Sequence, residues 1–449
     1  MPSISPRFVL IFPPKLYINN RVGKEMEPTR SEKGNPMADA FDYPRIRSVE
    51  VFPAEVSGQK VICLRDPLNL SGKILFFPYP TFFIISLFDG AHSLVDIQAE
   101  FMRRFGELLY QEKIRELVIQ LDEHFLLDNE RFRGAEQKII EDFKRSPLRP
   151  LTLTDDSYGG EPEKLKETIE SYFRDPEGPG PPGANRDPRN LTGAIAPHID
   201  YRRGGPCYAW AHRAILESSP ADLFIILGTA HSAMEQSFAL TRKHFQTPWG
   251  LVETDQEFMT ALDGQFSEDY YQDEFVHKGE HSIELQLVFL RALFTGTAPF
   301  RIAPILCGSF HEAILQDKSP MELPGVASLI QALKKAIAGT KGKVCVLASA
   351  DLAHVGPRFG DPAPPDRISM LNLAEEDRRL LGYAERVDGE GFFNILAREK
   401  DRRKICGLSP IYVLLNVLDG AQGKLLKYSQ SLDPTTQSVV TFGSVAYYS

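Results

Sequence analysis

The stretch GAIAPHIDYRRGG, residues 193–205, decides the fold class of this chain. Its apolar beginning predicts a short buried β-strand, and His198 follows that strand directly. In α/β proteins ligands bind just beyond the carboxyl ends of parallel strands, so a histidine at that point is a candidate site residue. The same pattern recurs in ADLFIILGTAHS, which places His231 after a strand, and in KVCVLASADLAHVG, which contains Asp351 and His354. We therefore predict that three strand ends meet at one site.

Predicted strands and helices alternate from residue 191 onward. The strands are LTGAIAP, DLFIILG, FRIAPILCG and KVCVLASA. The helices are PCYAWAHRAIL, SIELQLVFLRALF, GVASLIQALKKAIA and DRISMLNLAEEDRRLLGYA. This alternation predicts an α/β fold with a mixed central sheet flanked by helices, and the consecutive strands KLLKYSQS and SVVTFGSVAYY predict an antiparallel edge.

Length and composition limit the class of protein. The 449 residues are enough for more than one domain, because a single core stops growing near roughly 250–300 residues. No apolar run approaches the roughly 20 residues that cross a bilayer, and a net charge of -9 argues against a broad nucleic-acid surface. The five cysteines are scattered and include no CxxC pair. We therefore expect a cytoplasmic protein in a reducing compartment, with neither membrane nor nucleic acid as a partner.

The chain is predicted to contain four segments. Residues 1–36 read as a disordered extension and residues 42–133 as a small α+β module. Residues 134–190 form a helical and Pro/Gly-rich connector, and residues 191–449 form the α/β domain.

The module of residues 42–133 is predicted to be a winged helix. VEVFPAEV and KVICLRD predict a β-pair, TFFIISLFDG, SLVDIQAEFMRRFG and QEKIRELVIQLDEH predict three helices, and FLLDNERF predicts the strand of the wing. Ser93 is the predicted N-cap of the second helix. By this pattern the module resembles the PqqD-like modules that bind peptides in radical-enzyme maturation, and the resemblance implies peptide or protein docking. Its helices carry both acidic and basic residues, so DNA binding is not expected.

Two histidines and a cysteine are the predicted metal ligands. His198 and His231 each follow a strand, and neutral imidazole is the commonest protein ligand of Zn, Cu and non-haem Fe. Cys406, in ICGLSPIYVLLNVL, lies just before an apolar helix, and a helix N-terminus favours the thiolate that binds a metal. The alternative interpretation is that Cys406 is a small buried core residue.

Three further residues are predicted to act in catalysis. His354, oriented by Asp351, is the type of group that serves as general base or acid near neutral pH. His281, in HKGEHSIELQLVFL, projects from the first turn of a helix and is predicted to bind substrate or to support a ligand, with helix capping as the alternative. The spacing is not HExxH, so a zincin site is not predicted.

Arg202, Arg203 and Tyr201 are the predicted substrate-binding residues. They follow His198 in the opening stretch, and the two guanidinium groups can attract an anionic ligand. Salt bridges within the protein are the alternative role for both arginines.

Six motifs occur in the order and spacing of the Memo family, which includes the B component of AmmeMemoRadiSam systems. The motifs are PHIDYRRGGP, ILGTAHS, TPWG, GEHSIELQL, SADLAHVGPRFG and ICGLSP, and the resemblance covers roughly Leu191 to Ser449. Memo proteins are similar in fold to the class III extradiol dioxygenases, whose non-haem iron is held by two histidines and a carboxylate. The resemblance implies that His198, His231 and Cys406 are ligands. It also implies two partners, a radical-SAM protein and an AMMECR1-domain protein.

The thiolate is a departure from the dioxygenase ligand set. Because a thiolate is softer than a carboxylate, the site suits one transition metal ion, Fe(II) or Cu, with Zn as a further option. We expect a metal-binding protein with a non-haem-dioxygenase-like site, an oxidoreductase that acts with the radical-SAM partner. Two alternatives stay open: a non-enzymatic module that binds a peptide or protein, and a metal-dependent hydrolase with His354 as the base. A small molecule or peptide is the expected occupant of the cleft.

Overall fold

The chain folds as two compact units, one ending at Asp142 and the other beginning at Phe143. The computed structural model describes residues 16–17, 41–56, 58–153, 161–183, 189–218, 221–294 and 299–449. The predicted disordered extension therefore lies outside the described residues, apart from a two-residue strand at Leu16–Tyr17. None of the described helices is long and apolar enough to cross a bilayer.

The N-terminal unit is an antiparallel sheet packed against three helices. Its strands pair in the order β1 (Leu16–Tyr17), β2 (Glu50–Val56), β3 (Gln59–Arg65) and β4 (Ile74–Phe77). Its helices are α1 (Tyr79–Ser86), α2 (Leu94–Phe105) and α3 (Gln111–Glu123). The predicted β-pair and the three predicted helices are confirmed, whereas β4 was not predicted. The Ser93 hydroxyl accepts a hydrogen bond from Asp96 N, which confirms the predicted N-cap.

The strand predicted for FLLDNERF is wrong. Leu127 forms only an isolated bridge with Ile46, and helix α4 (Glu130–Arg145) begins three residues later. Asn129 starts this helix, because its Oδ1 accepts a hydrogen bond from Phe132 N at 3.0 Å. The helix start set by Asn129 thus prevails over the strand that the apolar run before it indicated.

The C-terminal unit contains eleven of the described strands and nine of the described helices, together with three short 3-10 turns. The strands are β5 (Leu148–Arg149), β6 (Leu191–Ala196), β7 (Leu223–Thr229), β8 (Phe238–Leu240), β9 (His244–Thr247), β10 (Gly250–Val252), β11 (Arg301–Cys307), β12 (Val344–Ser349), β13 (Asp351–Val355), β14 (Gln422–Asp433) and β15 (Ser438–Tyr448). The helices are α5 (Pro162–Arg174), α6 (Tyr201–Glu217), α7 (Gln256–Asp263), α8 (Ser282–Leu293), α9 (His311–Leu315), α10 (Val326–Gly339), α11 (Arg367–Glu385), α12 (Gly389–Arg398) and α13 (Leu408–Val417).

Eight strands form one mixed sheet, as the alternating pattern predicts. The order along the sheet is β13-β15-β6-β12-β7-β11-β8, and β14 also pairs with β15. The strands β6, β12, β7 and β11 are parallel, whereas β8 and β15 run antiparallel to their neighbours. The hairpin of β14 and β15 confirms the predicted antiparallel edge. Because β6, β12 and β7 are adjacent and parallel, the histidine-bearing segments that follow β6 and β7 leave the sheet beside the end of β12.

Helices cover both faces of this sheet, since alternate residues of the central strands are buried on opposite sides. Residues of β7 such as Ile225 pack with α7 and α10 to α13, whereas Phe224 and Ile226 face the side covered by α6 and α8. The connector was predicted at residues 134–190. Its part from residue 143 onward contributes β5 and α5 to this unit. A Cβ on Gly205 would lie 2.5 Å from the ring of Tyr172, so a glycine is needed where α5 and α6 touch.

Candidate metal centre

Histidine, cysteine and glutamate side chains converge at the carboxyl ends of the parallel strands. Two groups place one possible ligand atom from each residue within 4.8 Å of the others. The first consists of His198, His231 and Cys406, and the second of His231, Glu280 and His281. The structure therefore contains a candidate metal site, and His231 belongs to both groups.

His198 is buried, with only 3% of its surface exposed, and its orientation is fixed by two bonds. Its Nδ1 lies 3.0 Å from the carbonyl oxygen of Ser349, which can only accept, so Nδ1 carries the proton and Nε2 carries the lone pair. Its backbone N–H donates to Asp351 Oδ1 at 2.9 Å. Burial lowers the pKa of His198, so the imidazole is neutral near pH 7, the form that binds a metal.

His231 is oriented in the same sense by a carboxylate. Its Nδ1 lies 3.0 Å from both oxygens of Glu280, and its backbone N–H donates to Glu280 Oε2 at 2.8 Å. A carboxylate behind Nδ1 fixes the tautomer with Nε2 unprotonated and raises the basicity of that nitrogen. The rings of His198 and His231 stand edge to face, with centroids 5.0 Å apart.

Cys406 reaches this pair from a loop 208 residues further along the chain than His198. Its Sγ lies 3.3 Å from His198 Nε2 and 3.7 Å from the carbonyl oxygen of Asp351. Burial, together with the nearby Asp351 carboxylate, raises the pKa of the thiol well above its ordinary value. The metal-free cysteine is therefore a protonated thiol. The other four cysteines are buried and unpaired.

Glu280 orients His231 rather than completing a second ligand set. Its carboxylate also accepts hydrogen bonds from the backbone N–H groups of His281 at 2.8 Å and Ser282 at 2.9 Å. Burial disfavours the charged form, but the interactions with His231, including hydrogen bonds from its ring and its backbone N–H, outweigh burial and hold the pKa of Glu280 well below its ordinary value. Glu280 was not among the predicted site residues. Its position directly before His281 in the sequence was the available signal.

Asp351, His354 and His281 lie around the three candidate ligands. Asp351 Oδ2 is 3.7 Å from His198 Nε2. The Nδ1 of His354 lies 3.0 Å from the carbonyl oxygen of Leu352, which assigns the proton to Nδ1. Burial lowers the pKa of His354 to about 4 and that of His281 to about 4, so both are neutral near pH 7. The ring of His281 stacks on that of His231, with centroids 5.1 Å apart.

The three predicted substrate-binding residues occupy different environments on the first turn of α6. Arg202 is exposed. The Nε of Arg203 donates to Asp200 Oδ2 at 2.5 Å, so part of its charge is neutralised within the helix. Tyr201 is buried, its hydroxyl donates to the carbonyl oxygen of Leu285, and its ring packs against neighbouring aromatic rings. The structure therefore does not bring Tyr201 to an open surface.

Two residues within the His281 motif contact the core instead of the site. His277 is buried, and its Nε2 lies 2.9 Å from the carbonyl oxygen of Ala239. Glu284 is buried against Arg149 and accepts hydrogen bonds from Thr152 N at 2.7 Å and Leu153 N at 3.0 Å. The spacing of His281 and Glu284 on one helix therefore does not correspond to a shared ligand face.

A network of buried polar groups connects the segments that carry the candidate ligands. This network was not predicted. Gln286 Nε2 donates to the carbonyl oxygen of Pro197 at 2.6 Å and to Ser349 Oγ at 2.8 Å. Ser349 Oγ in turn donates to the carbonyl oxygen of Ser282 at 2.7 Å. These bonds connect the ends of β6 and β12 with the start of α8. No sequence motif marks this network, because it is made largely by backbone carbonyls.

The donor set fits a soft or borderline transition metal. Each imidazole presents its unprotonated nitrogen, and the third donor is a thiol that would become a thiolate on binding a cation. Two nitrogens and one sulfur suit Cu, Fe or Zn, whereas Mg and Ca prefer oxygen ligands. A cation would also stabilise the buried thiolate, since it supplies the positive charge that the metal-free site lacks.

Comparisons with known proteins show to which family the chain belongs. The family model of the Memo-like proteins matches residues 149–446. A MEMO1 family protein of Aquifex aeolicus is 28% identical over 403 residues, which cover 89% of this chain and 99% of that protein. A MEMO1 family protein of Thermus thermophilus is 29% identical over 79% of this chain and 98% of its own length. The match with the Aquifex protein is longer than the family model, so it includes most of the N-terminal unit. The chain belongs to the Memo family.

Proposed function

We propose that the protein is a metal-dependent oxidoreductase with a site like that of the non-haem dioxygenases. The observation that carries the proposal is the convergence of His198, His231 and Cys406, with both imidazoles held in the ligand tautomer. We assign the metal to His198 Nε2, His231 Nε2 and Cys406 Sγ. Fe(II) or Cu is the expected ion and Zn the alternative, because all three accept imidazole and thiolate together.

The bound ion would supply Lewis acidity or a redox couple, and the protein would supply orientation and proton transfer. His354 is neutral near pH 7 because burial lowers its pKa to about 4. Its Nδ1 proton is directed at the Leu352 carbonyl oxygen, so Nε2 is the atom that would accept a proton. Asp351 holds the backbone of His198 at 2.9 Å and thereby connects the strand of His354 with that ligand. Arg202 and Arg203 would attract an anionic substrate toward the site.

The first experiment is metal analysis of protein purified without oxygen. We expect close to one Fe, Cu or Zn ion per folded chain, because structural ligands of this type bind tightly at neutral pH. Replacement of His198, His231 and Cys406 by Ala should remove the metal. Cys345→Ala, which alters a buried thiol outside the site, and His311→Ala are the matched controls and should retain it. Equal metal content in the triple variant and the wild type would refute the site.

The second experiment separates three functions. Oxygen uptake with catechol-like substrates, absent in the triple variant, supports the oxidoreductase. Hydrolysis of ester or amide substrates by the Zn-loaded protein without oxygen supports the metal-dependent hydrolase, with His354 as the base. Binding of a small molecule or peptide without turnover supports the non-enzymatic module. We also propose a radical-SAM protein and an AMMECR1-domain protein as partners, to be tested by co-purification of tagged proteins from one host.

We propose peptide docking as the role of the N-terminal unit. This assignment stems from its likeness in pattern to PqqD-like modules, and the described elements include the β-pair and three helices of that pattern. Deletion of the unit should leave the metal content unchanged and should abolish co-purification with a peptide or protein partner.

A further inference from the structure

The loop that carries Cys406 has an uncommon backbone conformation. It connects α12 with α13, and three of its residues that are not glycine have positive φ angles: 51° at Lys400, 45° at Asp401 and 53° at Lys404. Residues other than glycine rarely adopt this left-handed backbone region. They keep this conformation only where the surrounding structure holds them in it.

Arg403 is the buried charged side chain of this loop and is 1% exposed, whereas Lys404 anchors the loop from a more exposed position through Asp361. The Nε of Arg403 donates to Glu399 Oε2 at 2.9 Å and its Nη2 donates to Glu399 Oε1 at 2.7 Å, which is the two-pronged geometry that a guanidinium forms with a carboxylate. Its Nη1 also donates to Asp377 on α11. Asp377 is itself anchored by the hydroxyls of Tyr428 at 2.8 Å and Thr441 at 2.6 Å. The guanidinium thus ties the loop to α11 and to the hairpin of β14 and β15.

The backbone on either side of Cys406 is bonded to strand β13. The carbonyl oxygen of Arg403 accepts a hydrogen bond from His354 N at 2.8 Å, and Gly407 N donates to the carbonyl oxygen of Asp351 at 3.0 Å. The position of Arg403 therefore sets both the place of Cys406 and the register of β13 against the loop.

We propose that Arg403 is a positioning residue that holds the Cys406 thiolate at ligand distance from His198. The inference rests on the proposed metal centre. Arg403 is neither a ligand nor a catalytic residue, because its guanidinium is directed at the carboxylates of Glu399 and Asp377. Lysine cannot form the two parallel hydrogen bonds that the guanidinium makes with Glu399. Arg403→Lys therefore keeps the positive charge but loses this paired hydrogen-bond geometry.

The test is titration of the metal-free full-length chain with Co²⁺, read from the thiolate-to-cobalt charge-transfer band in the near ultraviolet. In Arg403→Lys we expect a weaker band per bound cobalt at saturation. We also expect a dissociation constant raised by about 10–100-fold, as found when supporting residues of metal ligands are replaced. Arg402→Lys is the matched control, because Arg402 is the exposed neighbour and pairs with Glu376. This control should give the wild-type band.

The band separates positioning from general stability, since a residue that only stabilises the fold would leave the band per bound cobalt unchanged in protein that is still folded. Glu399→Gln weakens the same pair of hydrogen bonds to Arg403. If Arg403→Lys does not fold, the same loss of band intensity is expected in Glu399→Gln. A full band in the folded variants would overturn the role of Arg403 while leaving the metal centre intact. Absence of a band in the wild type, or a band that survives in Cys406→Ser, would instead refute the proposed metal centre, and this inference with it.

Discussion

His198 and His231 both have an unprotonated Nε2, but their Nδ1–H groups donate to different hydrogen-bond acceptors. A neutral carbonyl, that of Ser349, receives the Nδ1 proton of His198, whereas the carboxylate of Glu280 receives that of His231. A charged acceptor makes the opposite ring nitrogen more basic than a neutral one does. Of the two candidate ligands, we therefore expect His231 to give its Nε2 lone pair to a metal more strongly, because of Glu280.

Replacing Glu280 should weaken metal binding without removing a ligand. We expect Glu280→Gln to raise the dissociation constant of the metal by about 10–100-fold, because the amide lacks the charge that supports His231. The measurement is competition with a chromophoric chelator. Glu312→Gln, an exposed carboxylate outside the site, is the control and should have no effect. An unchanged affinity in Glu280→Gln would contradict the orienting role.

Metal binding should release a proton from Cys406. Burial raises the pKa of this thiol well above its ordinary value, so the metal-free form is protonated at pH 7 and must lose its proton to become a ligand. We expect the affinity to rise by about tenfold per pH unit near neutrality, because one proton is exchanged for each metal ion. Calorimetry in two buffers of different ionisation enthalpy counts that proton. Cys345→Ser should keep the release, and Cys406→Ser should abolish it.

His212 makes stability depend on pH independently of the site. Burial lowers its pKa from 6.5 to about 4. Between these values the unfolded chain binds a proton that the folded chain excludes, so this contribution is complete above pH 6.5 and is lost as the pH falls toward 4. From about pH 7 to about pH 5 the loss is about 2 kcal/mol. The ring of His212 packs 4.3 Å from that of Phe289, and we expect His212→Phe to reduce the drop in unfolding free energy by that amount. The free energy of unfolding is measured by urea titration of both proteins at the two pH values. An equal decrease in the wild type and in His212→Phe would contradict the role of His212.

At the scale of elements, the two-residue strand β5 supports the start of α8. Arg149 on β5 is fully buried, pairs with Glu284 on α8, and donates to the carbonyl oxygens of His277 at 2.9 Å and Glu280. The loop that presents Glu280 to His231 is thus held by a segment more than 100 residues earlier in the chain. Arg149 is also the first residue matched by the family model.

Removing one member of this buried pair should be costly. We expect Arg149→Met to lower the free energy of unfolding by about 3–5 kcal/mol, because it leaves the Glu284 carboxylate without its counterion. The double variant Arg149→Met/Glu284→Leu should lose less than the sum of the single variants, since it buries no unpaired charge. Urea unfolding of the three variants gives the cycle. Strict additivity would show that the two side chains do not depend on each other.

At the scale of the whole molecule, strand order creates the site. The segments after β6 and β7 carry the two candidate histidine ligands, His198 and His231. Strand β12 lies between these strands, and the loop before α13 brings the Cys406 thiol. All these elements lie in the unit that begins at Phe143.

The C-terminal unit should therefore bind metal by itself. A chain that starts at Asn129, which keeps the whole of α4 and its capping residue, should retain one metal ion with the affinity of the full-length protein, since all the candidate ligands are present. Metal analysis after desalting and a cobalt titration test this. Loss of binding in a folded shortened chain would show that the N-terminal unit contributes to the site.

The alternation of strands and helices, the antiparallel edge, the N-cap of Ser93 and the candidate ligands His198, His231 and Cys406 were all predictable, because each depends on local periodicity or on a short motif. The wing predicted at FLLDNERF failed for a local reason as well. Its apolar run indicated a strand, but Asn129 caps a helix that begins at the next residue.

The sequence by itself determined which residues are candidate ligands: two histidines that follow strands and a cysteine that precedes a helix. Only the tertiary structure decided how those residues are held. Glu280 lies behind His231, the Ser349 carbonyl lies behind His198, and Arg403 pairs with Glu399 within the loop of Cys406. It also decided that Tyr201 is buried. The physical reason is that orientation and pKa depend on hydrogen bonds to backbone carbonyls and to carboxylates distant in the chain. Periodicity and motif spacing contain no information about those contacts until the sheet has assembled.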